Sequence, residues 1–526
     1  MTSAAATKEF KVTYSAVNAD MTQFHKLFDD ALAWARKSSG KSHSLSIDGR
    51  AVTTKLAPLV ARSPIDGAEL GSFSCATTKE FGLAVAAARA AQKAWAATPW
   101  QQRLTVMRQA SAEIRRRKWE LGAVMSLEVG KNRMEAMGDA EESADLIDYY
   151  TQTMEESNGF KRPLGKLMPN ENTADVLRPY GVFLCIAPFN FPMALSTGMT
   201  AAALMAGNSI VYKPSPLAPW TGLLLAEVYE KAGLPKGLFN FVPARLEDVG
   251  LDFWNREDID GIVFTGSREV GLKFVKEFPK RYPRPVLMEG GGKNAAVVCA
   301  SADLDVAAEG VMRSAFGLQG QKCSACSRVY VDKSVAEAFT AKLVEKSKAL
   351  KIGDPSEKDI YLGPVISEAS VKRYEDAVKS AKKAGKVLLG GERLKNGALG
   401  KGHFVAPAIA RIDDLSHELY RKELFVPFVV IGAVDGLDQA IGEANKADYG
   451  LTAGIFTKDK AEIEKFFDAI EAGVLYANRK TGATTGAWPG VQSFCGWKGS
   501  GATGKGGCGP YYVAQFMREQ SRTIME

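Results

Sequence analysis

The run GVFLCIAPFNFPMALSTGMTAAALMAGNSIVYKPSP, residues 181–216, decides the fold. A short apolar β-rich segment, GVFLCIAP, leads into a helical stretch over 194–206, and a second apolar segment, NSIVYKP, follows. Strand, helix and strand in that order form a βαβ unit, whose two strands run parallel and whose helix covers the sheet. The alternation continues with a helix over 221–232 and the segments LFNFVP, GIVFTG and PVLMEGGG. It restarts near Asn294 with AAVVCA, a helix over 306–316, SRVYVDK, a helix over 335–349, and then KVLLGG, FVPFVVIGAV, AGIFT and GVLYAN. Two α/β domains in series are therefore expected. Upstream, FGLAVAAARAAQKAWAATP and residues 101–121 and 134–154 carry apolar residues at helical spacing. Residues 1–55, with Gly40, Ser38, Ser39, Ser42 and Ser44 marking a loop, read as a peripheral extension.

A chain of 526 residues, 46% hydrophobic and 24% charged, is long enough to bury a core without disulfides and is neither disordered nor fibrous. Its 67 basic and 60 acidic residues leave +7, too little for a strong field toward nucleic acid or anionic lipid. The one dense basic cluster, Arg115-Arg116-Arg117-Lys118, reads as a solvated helix face. Seven scattered cysteines, an odd number, point to free thiols in a reducing compartment. The first residues lack a basic segment followed by an apolar one, and no window approaches 18 apolar residues, so a cytoplasmic protein outside the membrane is expected.

Three motifs compete for the chemistry. GSGATG at 499–504 matches G-x-G-x-x-G, but FCGWK precedes it and GGCGPYY follows it, so the strand and helix that a phosphate site needs are missing. Cys323-Ser324-Ala325-Cys326 reads as a redox pair, as half a zinc site, or as one nucleophile with a packed neighbour. The four histidines lie far apart in sequence, and no metal is expected. The third is a set in fixed order: Pro188-Phe189-Asn190-Phe191-Pro192, Lys213-Pro214-Ser215-Pro216, Phe264-Thr265-Gly266-Ser267, Met288-Glu289-Gly290-Gly291-Gly292-Lys293, Gly320-Gln321-Lys322-Cys323 and Glu423-Leu424-Phe425-Val426-Pro427.

On these six segments the chain, from about residue 60 to its end, resembles the NAD(P)-dependent aldehyde dehydrogenase superfamily. The resemblance implies an α/β fold with a Rossmann-like cofactor domain (1–157 and 179–290), an α/β catalytic domain (291–490) and a small β oligomerisation segment (158–178 and 503–526). It implies Cys323 as the nucleophile that makes a hydride-expelling thiohemiacetal, Asn190 as an oxyanion donor, and Glu289 as the base that hydrolyses the thioester. It also implies cofactor contacts from Ile186, Ala187, Pro188, Phe189, Lys213, Ser215, Gly266, Ser267 and Gly290, with Glu423 on the nicotinamide ribose and Phe425 beside the ring. Pro216 stands where many NAD-preferring relatives carry Glu, so NAD is expected with NADP possible.

Within the superfamily, GQKCSACSRVYV and LYANRKTGATTG most resemble 1-pyrroline-5-carboxylate dehydrogenases, which oxidise glutamate semialdehyde in proline breakdown. The resemblance assigns the substrate carboxylate to Ser324 and the N–H groups of Gly482 and Ala483, with Lys322 adding positive potential. Ser493-Phe494-Cys495-Gly496 replaces the usual Pro-Phe-Gly-Gly, which suggests a remodelled pocket. Another small acidic or sugar-derived aldehyde is the rival substrate; a thiol redox protein or a non-catalytic binding protein of this fold is the rival from other classes. A homodimer or a larger assembly of dimers is expected.

Overall fold

The computed structural model describes residues 21–250, 252–278 and 281–526. Two seven-stranded sheets organise the chain. In the first, Val286–Glu289, Gly261–Thr265, Val182–Ile186, Ser209–Lys213 and Phe239–Phe241 lie side by side, all parallel. Its first parallel strand in sequence, Val182–Ile186, lies at the middle, with later strands added on both sides, so a topological switch point opens beyond its carboxyl end. This is a Rossmann-like arrangement. In the second sheet, Asn294–Val298 lies between Cys326–Asp332 and Thr452–Phe456, all parallel, while Lys386–Leu389 closes the far edge antiparallel. A three-stranded antiparallel sheet of Lys161–Pro163, Glu171–Pro179 and Met517–Met525 stands apart from both.

Helices α1 (Met21–Ser38), α2 (Thr78–Ala97), α3 (Trp100–Val129), α4 (Arg133–Glu156), α5 (Ala194–Met205) and α6 (Pro219–Lys231) pack around the first sheet. Thr77 and Glu80 form a capping box at the start of α2, and Asn132 caps α4 through the Glu135 N–H. Helix α6 starts earlier than its apolar pattern suggests. Pro219 suits the first turn, and the buried Glu128 carboxylate of α3 accepts the Trp220 and Thr221 N–H groups at 2.7 and 2.9 Å.

Two sequence expectations need correction. The N-terminal region is not peripheral in its described part: Phe24, Phe28, Leu32 and Ala35 of α1 are buried in the main core, and Leu45–Ile47 and Arg50–Val52 complete the first sheet. Residues 1–20 lie outside the described residues. The basic cluster on α3 is not a solvated face either. Lys118 and Arg117 are buried, and Arg115 and Lys118 both pair with Glu141 of α4, so these charges join two helices across a buried seam. Only Arg116, paired with Glu113 of its own helix, faces solvent.

Candidate active site

Four neighbouring strands of the first sheet deliver residues singled out in the sequence to one edge. Ile186 ends the middle strand of the parallel row, Lys213 ends its neighbour on one side, Gly266 follows its neighbour on the other, and Glu289 ends the outermost strand beyond that. Ala187 N–H bonds the Lys213 carbonyl at 3.2 Å, carrying the register past the strand ends, and burial pulls the Lys213 ammonium down to about 8. Ser215 Oγ accepts the Leu217 N–H, which turns the chain toward α6. Gly266 N–H is taken by the Glu289 carbonyl. Helix Arg268–Glu277 then begins at Ser267 without a side-chain cap, leaving its positive end open to an anion.

Three glycines after Glu289 let the second sheet approach. A Cβ on Gly292 would sit 2.4 Å from the Cys323 carbonyl oxygen, and one on Gly291, at φ 79°, would sit 2.6 Å from the Glu423 carboxylate. Gly290 N–H bonds the Ser500 carbonyl and Gly292 N–H the Glu423 Oε1, both at 2.8 Å. Burial pushes the Glu423 carboxyl up to about 7. Phe425, in a left-handed conformation at φ 57°, meets Phe189 edge to face with centroids 5.9 Å apart. The cofactor residues expected from the two halves of the chain thus touch across one cleft. GSGATG at 499–504 backs the Glu289 turn and opens no helix.

The turn that carries Cys323 is similarly over-determined. Leu318 and Gln319 both take left-handed angles, a conformation that costs a non-glycine residue free energy and persists only when its surroundings enforce it. Asn190 Nδ2 donates to the Gln321 carbonyl at 2.9 Å, and Asn294 Nδ2 donates to the carbonyls of Cys323 and Ala325. Asn190 is therefore tied to the turn two residues before the thiol. Cys323 is partly accessible, whereas Cys326 is buried and its Sγ donates to the Arg328 carbonyl, turned away from the cavity that Cys323 lines. Burial pushes the Cys323 thiol up, and the carboxylates of Glu289 and Glu423 push it further. A thiolate there depends on a base, and Glu289 lines the same cavity with its carboxyl raised well above the usual range by burial and its Oε2 without a hydrogen-bond partner.

That cavity is about 780 Å³ and reaches from Cys323 and Glu289 to Ser324, Lys322, Phe191 and Phe494. Lys322 is not a free cation: its ammonium pairs with Glu135 of α4 at 3.0 Å. Gly482 and Ala483 do not line the cavity. Their N–H groups are taken by the carbonyls of Arg479 and Gly310, and Ala483 is drawn into the second domain's apolar core. The sequence carries Thr-Gly-Ala twice, and the second copy, Thr485-Gly486-Ala487, forms the wall beside Ser324. Sequence reasoning also missed α4, which contributes Glu135, Glu142, Leu146 and Tyr150 to the wall. Nothing in its helical periodicity separates a cavity-facing side chain from a core one.

Residues 51–521 match the family model described as "Aldehyde dehydrogenase family". Among curated proteins, the chain is 35% identical over 508 residues to the 1-pyrroline-5-carboxylate dehydrogenase of a Geobacillus species, covering 95% of this chain and 96% of that one. It is 36% identical over 505 residues to 1-pyrroline-5-carboxylate dehydrogenase 2 of Bacillus subtilis, with 95% and 96% covered. Among solved structures, 1-pyrroline-5-carboxylate dehydrogenase from Thermus with bound NAD superposes with a TM-score of 0.92 at 32% identity, covering 99% of this chain and all of that one.

Proposed function

Because the chain belongs to the aldehyde dehydrogenase family, we propose that it oxidises L-glutamate γ-semialdehyde, the open form of 1-pyrroline-5-carboxylate, to L-glutamate in proline catabolism, using NAD. The relatives of that activity match nearly the whole chain at about one residue in three, and one solved relative carries NAD. The single observation that carries the reading is the placement of Cys323 and Glu289 in one cavity, at the junction of two sheets whose cofactor-side residues Phe189 and Phe425 touch.

In this scheme the Cys323 thiol gives its proton to the Glu289 carboxylate, which passes it on to solvent, and its sulfur bonds the aldehyde carbon, while the Asn190 amide and the Cys323 N–H receive the developing oxyanion. Bound at the strand ends, NAD supplies the hydride acceptor. Lys213, Ser267 and Glu423 orient it: a buried ammonium and an uncapped helix end suit its phosphates and ribose, and Glu423 is within reach of the Gly-rich turn. Glu289 then takes a proton from water, which attacks the thioester carbon and expels the Cys323 sulfur as the carboxylic acid forms. Ser324 and the Thr485-Gly486-Ala487 wall hold the far carboxylate. Pro216 offers no carboxylate to a ribose, so NADP is the alternative cofactor.

The assignment of 1–157 with 179–290 to the cofactor, 291–490 to catalysis, and 158–178 with 503–526 to assembly belongs to the same proposal. The exposed outer strand Met517–Met525, with Ile524 and Met525 facing out, supports pairing into a homodimer or larger oligomer. All seven cysteines are unpaired, which supports a cytoplasmic location, and no described helix is long and apolar enough to cross a membrane.

The test is a panel of aldehydes with NAD and NADP, read as kcat/KM. Glutamate semialdehyde should exceed propanal by at least about tenfold. Cys323→Ala should abolish turnover and Cys326→Ala should retain most of it. Propanal performing equally would remove the substrate assignment, and equal loss in both cysteine variants would restore the dithiol reading.

A further inference from the structure

The wall that faces the far end of the substrate is a loop with no regular structure, and a side-chain hydrogen bond fastens it to helix α4. Trp488 Nε1 donates to Asp145 Oδ2 at 2.7 Å. Asp145 cannot swing freely, because its other oxygen is paired with Arg115 of α3 at 2.9 Å, and Arg115 is held in turn by Glu141, which Lys118 also grips. We propose that this Trp488–Asp145–Arg115 chain positions the carboxylate-binding wall of the cavity and so sets the preference for an acidic aldehyde. The inference deepens the substrate reading above and rests on it.

The loop's neighbouring contacts show what this bond adds. Upstream, Arg479 Nε donates to the Thr485 carbonyl, and its guanidinium packs so close to Gly486 that a Cβ there would lie 2.2 Å from it. Downstream, the Trp488 carbonyl accepts the N–H groups of Val491 and Gln492, and Gly490 N–H bonds the Cys508 carbonyl. The ends of the segment are thus held by the second domain and the C-terminal loops, while α4 meets it through the Trp488–Asp145 bond and at Gly490, where a Cβ would lie 2.8 Å from the Tyr149 ring. Indole N–H is a donor only, so the bond has one direction, and a charged acceptor in a half-buried place makes it stronger than a neutral pair. The same helix brings Glu135 to Lys322 beside the nucleophile. Helix α4 therefore fixes both ends of the distance between the thiol and the carboxylate wall.

Short neutral aldehydes need only the thiol end. In the full-length enzyme, Asp145→Ala should raise KM for glutamate semialdehyde about tenfold, the scale of one lost hydrogen bond to a charged group, while KM and kcat for propanal stay within about twofold. Trp488→Phe, which removes the donor and keeps most of the ring, should give the same rise for the acidic substrate. The double variant should rise no further, because the two side chains form one interaction. Amide exchange over residues 485–491 should quicken in each variant. Parallel shifts for both aldehydes, additive effects in the double variant, or unchanged exchange in the loop would overturn the proposal. A wild type that does not prefer the acidic aldehyde would sink the substrate reading instead, and the exchange measurement would still decide whether the loop is fastened as described.

Discussion

Replacing Asp139 by Asn should destabilise the protein by several kcal/mol near neutral pH, and the loss should shrink as pH rises. Lys131 and Asp139 form an ion pair of 2.9 Å with both side chains fully buried. The ammonium also lies 3.8 Å from the centre of the Phe191 ring, and Asp139 Oδ1 accepts the Ala194 N–H at 2.6 Å. An Asn side chain keeps an acceptor for Ala194, so the substitution isolates the charge. Removing one partner of a buried pair costs roughly 3–5 kcal/mol when the other stays charged. Lys131 can escape only by releasing its proton, which from an unfolded value of about 10.4 costs about 4.6 kcal/mol at pH 7 and about 1.9 kcal/mol at pH 9, at 1.36 kcal/mol per unit. The destabilisation is therefore largest below pH 7 and falls above it. Urea unfolding midpoints and unfolding rates from pH 6 to 9 measure this. Lys131→Met combined with Asp139→Asn, which removes the stranded charge, should recover most of the loss. A double variant as unstable as Asp139→Asn, or a penalty that does not change with pH, would refute the reasoning. Because Phe191 and Ala194 bracket the segment after Asn190, the single variant should also lower kcat.

Two further outcomes follow from buried carboxyls. Burial raises the Glu289 carboxyl well above the usual carboxylate range, so steady-state turnover limited by thioester hydrolysis should climb with pH as it ionises; Glu289→Gln should keep an initial NADH burst, lose turnover by about 10²–10⁴-fold and flatten that limb. Glu128, pushed up to about 7 beneath the start of α6, holds in the folded state a proton that the unfolded chain releases near 4.5. Stability should thus be greatest below about 4.5 as far as this group is concerned, fall by on the order of 3 kcal/mol as pH rises to about 7, and then level off. The difference in unfolding free energy between wild type and Glu128→Gln across that range isolates the effect, and a constant difference would show that Glu128 does not titrate as its burial requires.

The alternation of apolar β-rich runs and helices, and the Gly-rich turn after Glu289, were readable because both are local: strand and helix periods repeat within ten residues, and a backbone that must let Cys323 and Glu423 approach within a Cβ's breadth needs glycine in place. The set from Pro188 to Pro427 likewise announced the family, and with it which thiol and which carboxylate to examine. Tertiary structure alone decided the rest. The chain offers Thr-Gly-Ala at 481–483 and again at 485–487, and composition cannot rank them; Ala483 is pulled into an apolar core, so only Thr481 of the first copy lines the cavity, whereas all three residues of the second do. Lys322 reads as a free cation until Glu135, far upstream, is folded against it. The basic run at 115–118 reads as solvated until Glu141 and Asp145 arrive from the next helix. A charge's meaning depends on the partner and the dielectric around it, and both are set by residues distant in sequence, which only the packed chain brings together.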